Sequence, residues 1–486
     1  MRPTVKYLSD HLIGEIIADA REVLCSQGVE IKDESMIDLL DSYGAEINAA
    51  SQRVVLTPYL IDKALNTISG EFALYDTSGA QTHDFSGDNF HFNPGSAALN
   101  ILDHQSQTAR PPQTDDYIDF VKLVHNLPNL EAQSTAIIPA DVPAAISDSY
   151  RLFLNLLYGT KPVITGVFAP ESFQVMLDFQ LAIRGSARDL RSKPMTVFTC
   201  CPTSPLKWSV TASRNLTDCV KAGIPVELVT MPMAGFTSPV TIIGTLVQQT
   251  AEILSGIVMA QLAEPGAPLL YGCAATVFDI KYSTTPLSAP ESMVLACASN
   301  EIGKYLGLPT QAYISLSNAK LLDAQAGLET GMGATMAVLA GINSISGPGL
   351  LDFVNCQSLE KLVVDHEIAR MAARLTWPLE SADDLPAGQL MDELIRDEHL
   401  LISPHSLAQR EKAQQLPGSI IERSGRQSWL DAGGSTVRDR AHTEVERLIA
   451  AYEGNSLRGD IQAELIVLME REAQKHGLDT LPERSN

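Results

Sequence analysis

The sequence predicts an α/β fold: a (β/α)8 barrel of the TIM-barrel type, with an N-terminal extension of helices and short strands and a C-terminal helical cap. Two observations predict it. From residue 131 onwards, short apolar segments alternate with longer helical segments, and about 30 residues per unit suit a barrel of about 250 residues. The length of 486 residues and the hydrophobic content of 45% allow a core of this size.

The first part of the chain carries two helix signals. In one helix, Asp33 is placed to cap the first turn and Gly44 to end it. In the next helix, Thr57 and Gly70 have the same roles, and short strand and turn segments follow. We therefore predict an N-terminal extension over residues 1–95.

The predicted barrel domain covers residues 96–404, and the C-terminal helical cap covers residues 405–486. A closed barrel has no free sheet edge, so an eighth strand is expected beside seven clear ones, and the weak segment HLLIS (399–403) is the candidate. The seven clear strand segments are 131–138, 162–168, 195–201, 225–231, 268–274, 310–316 and 342–347.

Charge and composition exclude several classes of function. The chain has 58 acidic residues against 35 Lys plus Arg, a net charge of −23. This charge repels phosphate backbones and anionic lipid, so nucleic acid is not an expected partner. No apolar run reaches the roughly 20 residues that cross a bilayer, and the seven scattered cysteines are typical of reduced, buried thiols. We predict a cytoplasmic protein that does not bind membranes.

Local motifs for metals and nucleotides are missing from the sequence. It contains no CxxC, HxH or HExxH pattern, which argues against a zinc site built from one segment. It also contains no GxSxG, no P-loop and no dinucleotide-binding GxGxxG after a strand. The chemistry is therefore expected in the loops at the C-terminal ends of the strands, where barrel enzymes keep their active sites.

The loop 231–244 (MPMAGFTSPVTIIG) is the first candidate. After Met233, the pair Thr237 and Ser238 is placed to cap a helix, and the free amides of a helix start attract a carboxylate or phosphate. An ordinary capped helix gives the same pattern. The second candidate, 344–353 (SISGPGLLDF), turns sharply at its glycines, which either admit a flat ligand or only turn the chain.

Aromatic and acidic residues near strand ends complete the candidate site. Four aromatic residues there are placed to surround a methylammonium group by cation–π attraction, although each is also a common core residue. Glu227 lies inside an apolar strand, where a carboxylate is costly unless paired. Glu329 is the second acidic candidate. The aromatic residues are Phe168, Phe236, Tyr271 and Tyr313.

Four long segments follow one another along the chain: 28–47, 107–130, 207–272, which includes the loop MPMAGFTSPVTIIG, and 323–372, which includes SISGPGLLDF. They resemble the trimethylamine methyltransferase family of corrinoid-dependent enzymes, and the resemblance covers most of the chain. The resemblance implies a barrel that passes a methyl group from a methylated amine to the Co(I) corrinoid, a cobalamin-type cofactor, of a separate corrinoid protein.

The resemblance also narrows the substrate. Founding members carry pyrrolysine near the start of one barrel helix, but residues 323–341 are all standard here, so the chain is similar to the branch that includes glycine betaine demethylases. A quaternary ammonium leaves as a neutral tertiary amine, which needs no proton. In this interpretation Glu227 and Glu329 are catalytic, and the aromatic residues and Met233 bind the substrate.

The remaining site residues follow from the same interpretation. Thr237 and Ser238 bind the carboxylate of a betaine, so the variant Thr237→Asp is expected to abolish binding. The corrinoid faces the glycine loop, and a homo-oligomer is expected. Another methyl donor, or a binding protein without turnover, remains as an alternative. The residues expected to face the corrinoid are Gly347, Gly349, Asp352 and Phe353.

Overall fold

The computed structural model describes residues 2–48, 50–382, 384–478 and 480–482. The two predicted N-terminal helices are present: Asp33 precedes one, and the Thr57 hydroxyl caps the other by accepting from the Leu60 amide. The elements before the barrel are α1 (Asp10–Ser26), β1 (Val29–Ile31), α2 (Glu34–Ser42), β2 (Glu46–Asn48), β3 (Arg53–Val55), α3 (Pro58–Leu65), β4 (Ala73–Tyr75) and β5 (Gln81–Asp84).

Strands and helices then alternate through the middle of the chain. In order they are β6 (His91–Asn93), β7 (Asn100–Leu102), β8 (Ala109–Arg110), α4 (Thr114–His125), β9 (Gln133–Ser134), α5 (Ser147–Tyr158), β10 (Val163–Thr165), α6 (Ser172–Arg184), α7 (Ala187–Ser192), β11 (Thr196–Cys200), β12 (Lys207–Trp208), α8 (Val210–Ala222), β13 (Val226–Thr230) and β14 (Met233–Ala234). The series continues with α9 (Ile242–Ala263), β15 (Leu269–Cys273), β16 (Thr276–Val277), α10 (Pro290–Tyr305), β17 (Thr310–Ala312), α11 (Ala324–Ala340), β18 (Ser344–Ser346), β19 (Leu350–Leu351), β20 (Cys356–Gln357) and α12 (Leu359–Arg374).

The C-terminal part is helical, as predicted. Its helices are α13 (Gly388–Asp397), α14 (Pro404–Ala413), α15 (Arg426–Asp431), α16 (Val437–Ala450) and α17 (Gly459–Lys475). Helix α16 packs on α12 and α4, and α17 packs on α5 and α6, so both lie against the outside of the barrel.

Eight parallel strands form one sheet in the order β6, β18, β17, β15, β13, β11, β10, β9. The sheet closes between its two ends, because the Glu131 amide donates to the Phe92 carbonyl over 2.9 Å and the Ala98 amide donates to the Ala136 carbonyl over 2.7 Å. Helices α4, α5, α6, α8, α9, α10, α11 and α12 follow the eight strands in turn. The predicted (β/α)8 barrel is confirmed.

All seven clear strand predictions are confirmed, but the eighth is wrong. Residues 399–403 form a turn before α14, and the remaining barrel strand is β6, which pairs with β18. The three residues of β6 include His91 and Asn93, so this strand lacks the apolar signal on which the other predictions rested. Barrel strands therefore begin within the segment predicted as the N-terminal extension.

A small buried cluster fills the barrel at its N-terminal end. The amides of Tyr75 and Thr77 donate to the carbonyls of Pro194 and Thr160, 2.9 Å each, which places the β4–β5 hairpin below β11 and β10. This end of the barrel is closed as a result. The cluster consists of Leu74 in β4, Phe85 just after β5, Ala132 just before β9, and Ile164, Val197 and Leu270 from β10, β11 and β15.

The other face of each strand packs against the helices. Neighbours of the inner residues, such as Val163, Phe198 and Leu269, belong to the main core, as the period of two along a strand requires. Helix α9 is long and apolar enough to cross a membrane, so the prediction that no run reaches such a length is wrong. Its apolar window is 72% buried inside the protein, which is typical of a core helix.

Candidate active site

A cavity of about 350 Å³ opens at the C-terminal ends of the strands, on the side formed by β9, β10 and β11. This is the face on which barrel enzymes carry their active sites. The wall combines hydroxyl, thiol, aromatic and charged side chains, so it is suited to a small polar ligand. The lining includes Thr135, Arg151, Phe168, Thr199, Cys201 and Tyr313.

Glu227 supplies a buried carboxyl group beside this cavity. Its strand neighbours Val226 and Leu228 lie in the main core, so Glu227 points into the barrel. The Thr199 hydroxyl donates to Oε1 over 2.5 Å, and Oε2 has no partner among the described residues. Burial raises the pKa of this carboxyl from 4.5 to about 7, while the bond from Thr199 opposes the shift.

Tyr313 and Cys201 stand next to Glu227. The Tyr313 hydroxyl donates to the Ser96 carbonyl over 3.2 Å, and burial together with the charge of Glu227 raises its pKa. Cys201 is exposed to the cavity although the barrel wall surrounds it. Burial and Glu227 raise the pKa of its thiol to about 12, so the thiol stays protonated and is no thiolate nucleophile at neutral pH.

Phe168 covers a buried ion pair at the mouth of the cavity. The Arg151 guanidinium donates to Asp148 over 2.9 Å, and its carbon lies 5.3 Å from the centre of the Phe168 ring. The other Asp148 oxygen accepts from the amides of Phe168 and Ala169, at 2.6 and 3.2 Å. The pair therefore fixes the loop after β10 while the ring remains 67% exposed.

Sequence reasoning missed Arg151 and Asp148. Both lie in α5, whose sequence SDSYRLFLNLLY is mostly apolar, and both are buried. A charged residue within an apolar segment is the same signal that singled out Glu227. Sequence reasoning also missed Gln311, whose Nε2 is buried without a partner in the part of the chain that the structure describes.

The predicted helix start at Thr237 and Ser238 is wrong. Helix α9 begins at Ile242 with Thr241 as its N-cap. The amides of Thr237 and Ser238 both donate to the Met233 carbonyl, at 3.0 and 3.1 Å, so they are not free to bind a carboxylate. The free helix-start amides on which the predicted carboxylate site relied are not found at Thr237 and Ser238, and a role of these two residues in substrate binding stays a prediction.

Met233 and Phe236, the other two candidate residues of the loop 231–244, lie on the rim of the barrel mouth. Met233 is half-buried in the short ribbon of β14 and β16. Phe236 is exposed and stacks on Phe278 with ring centres 4.8 Å apart. Neither lines the cavity, so their role in substrate binding stays a prediction.

Two further candidates are placed elsewhere by the structure. Tyr271 is buried in the main core, and its hydroxyl lies 2.9 Å from the Thr250 hydroxyl of α9, so it points away from the barrel interior. Glu329 accepts from the Ser317 hydroxyl and the Asn318 amide, at 2.6 and 2.8 Å. Its carboxylate fixes the loop after β17 and does not line the cavity.

The glycine loop after β18 is packed too tightly to admit a ligand at its glycines. A methyl group on Gly347 would lie 2.1 Å from the Ile314 carbonyl oxygen, and Gly349 has a φ of +85° with Gln357 against it. Asp352 and Phe353 are half-buried, and Lys320 contacts both. Gly347 and Gly349 therefore turn the chain, and contact of Asp352 and Phe353 with a corrinoid stays a prediction.

Among the residues that the structure describes, two groups of side chains could hold a metal ion, and neither lines the cavity. Both join distant segments, so local motifs did not predict them. In the second group the imidazole rings are parallel with centres 3.6 Å apart, so in this arrangement one ion cannot lie in the plane of both rings. The groups are His83, His91 and Glu131 at the closed end, and His104, Glu360 and His442 at the contact of the β7–β8 turn with α16.

Comparisons with known proteins find relatives over nearly the whole chain. A trimethylamine methyltransferase of Desulfitobacterium hafniense (strain DSM 10664 / DCB-2) is 26% identical over 470 residues, which are 97% of this chain and 94% of the relative. A glycine betaine methyltransferase of Desulfitobacterium hafniense (strain Y51) is 25% identical over 477 residues, 98% of each chain.

A solved structure and a family model complete the comparison. The monomethylamine methyltransferase of Methanosarcina barkeri has a TM-score of 0.47 and 14% identity, over 90% of this chain and 94% of its own. The family model described as trimethylamine methyltransferase matches residues 1–477. This chain therefore belongs to the trimethylamine methyltransferase family and is a methyltransferase.

Proposed function

We propose that this enzyme transfers a methyl group from a small quaternary amine of the glycine betaine type to the Co(I) corrinoid of a separate corrinoid protein. The single observation that carries the proposal is the buried Glu227 carboxyl, whose Oε2 has no partner in the described part of the chain, beside a cavity lined by Phe168 and Tyr313. A carboxylate and aromatic rings together favour a cation that offers no strong hydrogen-bond donor.

The proposed reaction requires little acid–base catalysis. The N–CH3 bond breaks and leaves its electron pair on nitrogen, while the electron pair of Co(I) forms the new Co–CH3 bond, so cobalt becomes formally Co(III). The amine departs neutral and takes up no proton at this step. The enzyme then has to hold the methyl group in line with the cobalt and to exclude water, which is catalysis by orientation and electrostatics.

The size of the cavity supports a small donor. Ligand pockets are typically about 300–1,000 Å³, and the cavity of about 350 Å³ is near the lower end. A quaternary amine of a few carbons fits this volume, whereas the corrinoid ring has to meet the methyl group at the mouth. The names of the relatives, one acting on trimethylamine and one on glycine betaine, agree with such a donor.

The surroundings of the mouth support a protein partner. Large exposed apolar side chains lie on several loops that follow barrel strands, and such groups mark interaction surfaces. They give a corrinoid protein an apolar surface to dock on. They are Leu99, Phe168, Phe236, Val240, Ile280 and Tyr282. We also propose that the enzyme works in the cytoplasm, in agreement with seven free thiols, and that it is a homo-oligomer.

The test is a visible-spectrum assay of Co(I) corrinoid protein mixed with the purified enzyme and one amine at a time. Glycine betaine, carnitine, choline and trimethylamine form the panel. Conversion to methyl-Co(III) with a quaternary amine is expected, and reaction with trimethylamine alone would contradict the proposed substrate class. Binding of an amine without conversion in the presence of several corrinoid proteins would contradict the activity itself.

A further inference from the structure

A buried cation lies on the wall of the cavity, and the proposed reaction does not require it. Arg151 is 1% exposed and lines the cavity next to Thr135 and Phe168. We infer, on the basis of the proposed function, that Arg151 binds the carboxylate of a zwitterionic substrate. The substrate class is then the N-methylated amino acids with a quaternary nitrogen, and simple quaternary amines are poor ligands.

The hydrogen bonds of Arg151 leave room for a ligand. Its Nε donates to the Ser147 carbonyl over 3.2 Å, Nη1 to the Thr135 carbonyl over 3.0 Å, and Nη2 to Asp148 over 2.9 Å. A guanidinium has five N–H groups. One N–H on each Nη is therefore left without a partner among the described residues, and two such N–H groups match the two oxygens of a carboxylate.

Asp148 does not remove this binding capacity. One of its oxygens accepts from Arg151, and the other accepts from the amides of Phe168 and Ala169. The carboxylate therefore holds the guanidinium in position from one side, and the wall of the cavity borders the other side. The Phe168 ring over the guanidinium shields it from water at the mouth, which strengthens its attraction for an anion.

The protein charges near the cavity have opposite signs on its two sides. Arg151 reaches the end of β9, whereas Glu227 belongs to β13, and β10 and β11 lie between them in the sheet. Thr199 of β11 lines the cavity and donates to Glu227. A zwitterion whose carboxylate is bound at Arg151 therefore has its ammonium group directed along this wall toward the side of Glu227.

The experiment compares two ligands and two proteins. Glycine betaine and choline are both small quaternary amines, but only the former carries a carboxylate, and calorimetry measures the affinity of each. Wild type is expected to bind glycine betaine at least 100-fold more tightly than choline. In the double variant Arg151→Gln, Asp148→Asn, which leaves no unpaired buried charge, this preference is expected to fall below threefold, because the affinity for glycine betaine falls far more than the affinity for choline.

Controls keep the outcome decisive. The variant Arg184→Gln removes another guanidinium, which donates to carbonyls at Tyr75 and Asp76 near the closed end, and should keep the preference. If the double variant does not fold, Arg151→Lys retains the positive charge but lacks the two parallel N–H donors of the guanidinium. The affinity for glycine betaine alone is then expected to fall about tenfold. Equal binding of both ligands by wild type, or an unchanged preference in the folded variant, overturns the inference.

The same measurements separate this inference from the proposed function. A carboxylate preference that depends on Arg151, in an enzyme that never methylates cobalt, upholds the inference and contradicts the proposed reaction. Methylation of cobalt by choline and glycine betaine at equal efficiency, in wild type and variant alike, upholds the reaction and contradicts the inference.

Discussion

The two sides of the barrel mouth differ in how their residues are packed. On the side of β9, β10 and β11, charged and hydroxyl groups surround a cavity, although burying Arg151 and Asp148 there is unfavourable unless their bonds are complete. On the side of β18, Gly347 and Gly349 bring backbone and side chains into contact and leave no space. Buried charge therefore marks the ligand site, and glycine marks close packing.

The largest expected effect tests the charged side. The variant Glu227→Gln should lower kcat/KM for a quaternary amine by at least 100-fold, because the cation loses its counter-charge. Since the pKa of Glu227 is about 7, the wild-type affinity should rise as the pH increases through 7 and then level off. A flat profile in wild type, or an unchanged kcat/KM in the variant, would contradict a role for this carboxylate.

The same group has an opposite effect on stability. The pKa of Glu227 is higher in the folded protein than its ordinary value of 4.5, so the folded state holds a proton that the unfolded state releases between these pH values. Stability therefore decreases as the pH rises from 4.5 through 7, by roughly 3 kcal/mol once the carboxyl is ionised. The Gln variant should be more stable than wild type at pH 8 and similar at pH 4, as thermal unfolding will measure.

The packed side is tested by Gly347→Ala. The new methyl group would meet the Ile314 carbonyl at 2.1 Å, so we expect a loss of about 3 kcal/mol in the free energy of unfolding. The control Gly327→Ala, in α11 with open space around it, should gain about 1 kcal/mol. Full stability of the Gly347 variant combined with a defect only toward the corrinoid protein would return this loop to the active site.

Two tyrosines sharpen the comparison at a smaller scale. Tyr313→Phe removes a hydroxyl from the cavity and should lower kcat/KM about tenfold with little change in stability. Tyr271→Phe removes the bond to Thr250 behind the strand and should cost about 1 kcal/mol in stability with activity unchanged. The cobalt assay measures activity and denaturant unfolding measures stability. If Tyr271→Phe lowered activity and Tyr313→Phe lowered stability, Tyr271 would face the cavity and Tyr313 would face the helices.

The smallest effect is expected at the loop before α9. Thr237→Asp retains an oxygen that accepts from the Met233 amide, as the Thr237 hydroxyl does over 3.0 Å. Because the neighbouring amides are already bonded, the affinity for glycine betaine should change less than threefold by calorimetry. A 100-fold loss would place the carboxylate of the substrate at this loop instead of at Arg151.

The sequence was sufficient for most of the barrel because seven of its strands lie in largely apolar segments that start 30 to 43 residues apart. It was insufficient for β6, since a three-residue strand with His91 and Asn93 has no apolar pattern. In the site, Phe168 and Tyr313 were predicted and line the cavity, whereas Tyr271 faces the helices. Which strand face a residue occupies follows from register, and a run of apolar residues does not reveal register.

The closed end of the barrel, filled by Leu74 and Phe85, sets an order in time for the proposed reaction. A barrel with one open end has to bind the amine first, because a docked partner protein would cover that opening. The demethylated product must wait for the partner to leave. Excess unmethylated partner would then bind the enzyme before the amine does and would slow turnover. This inhibition follows from a barrel that is open at one end.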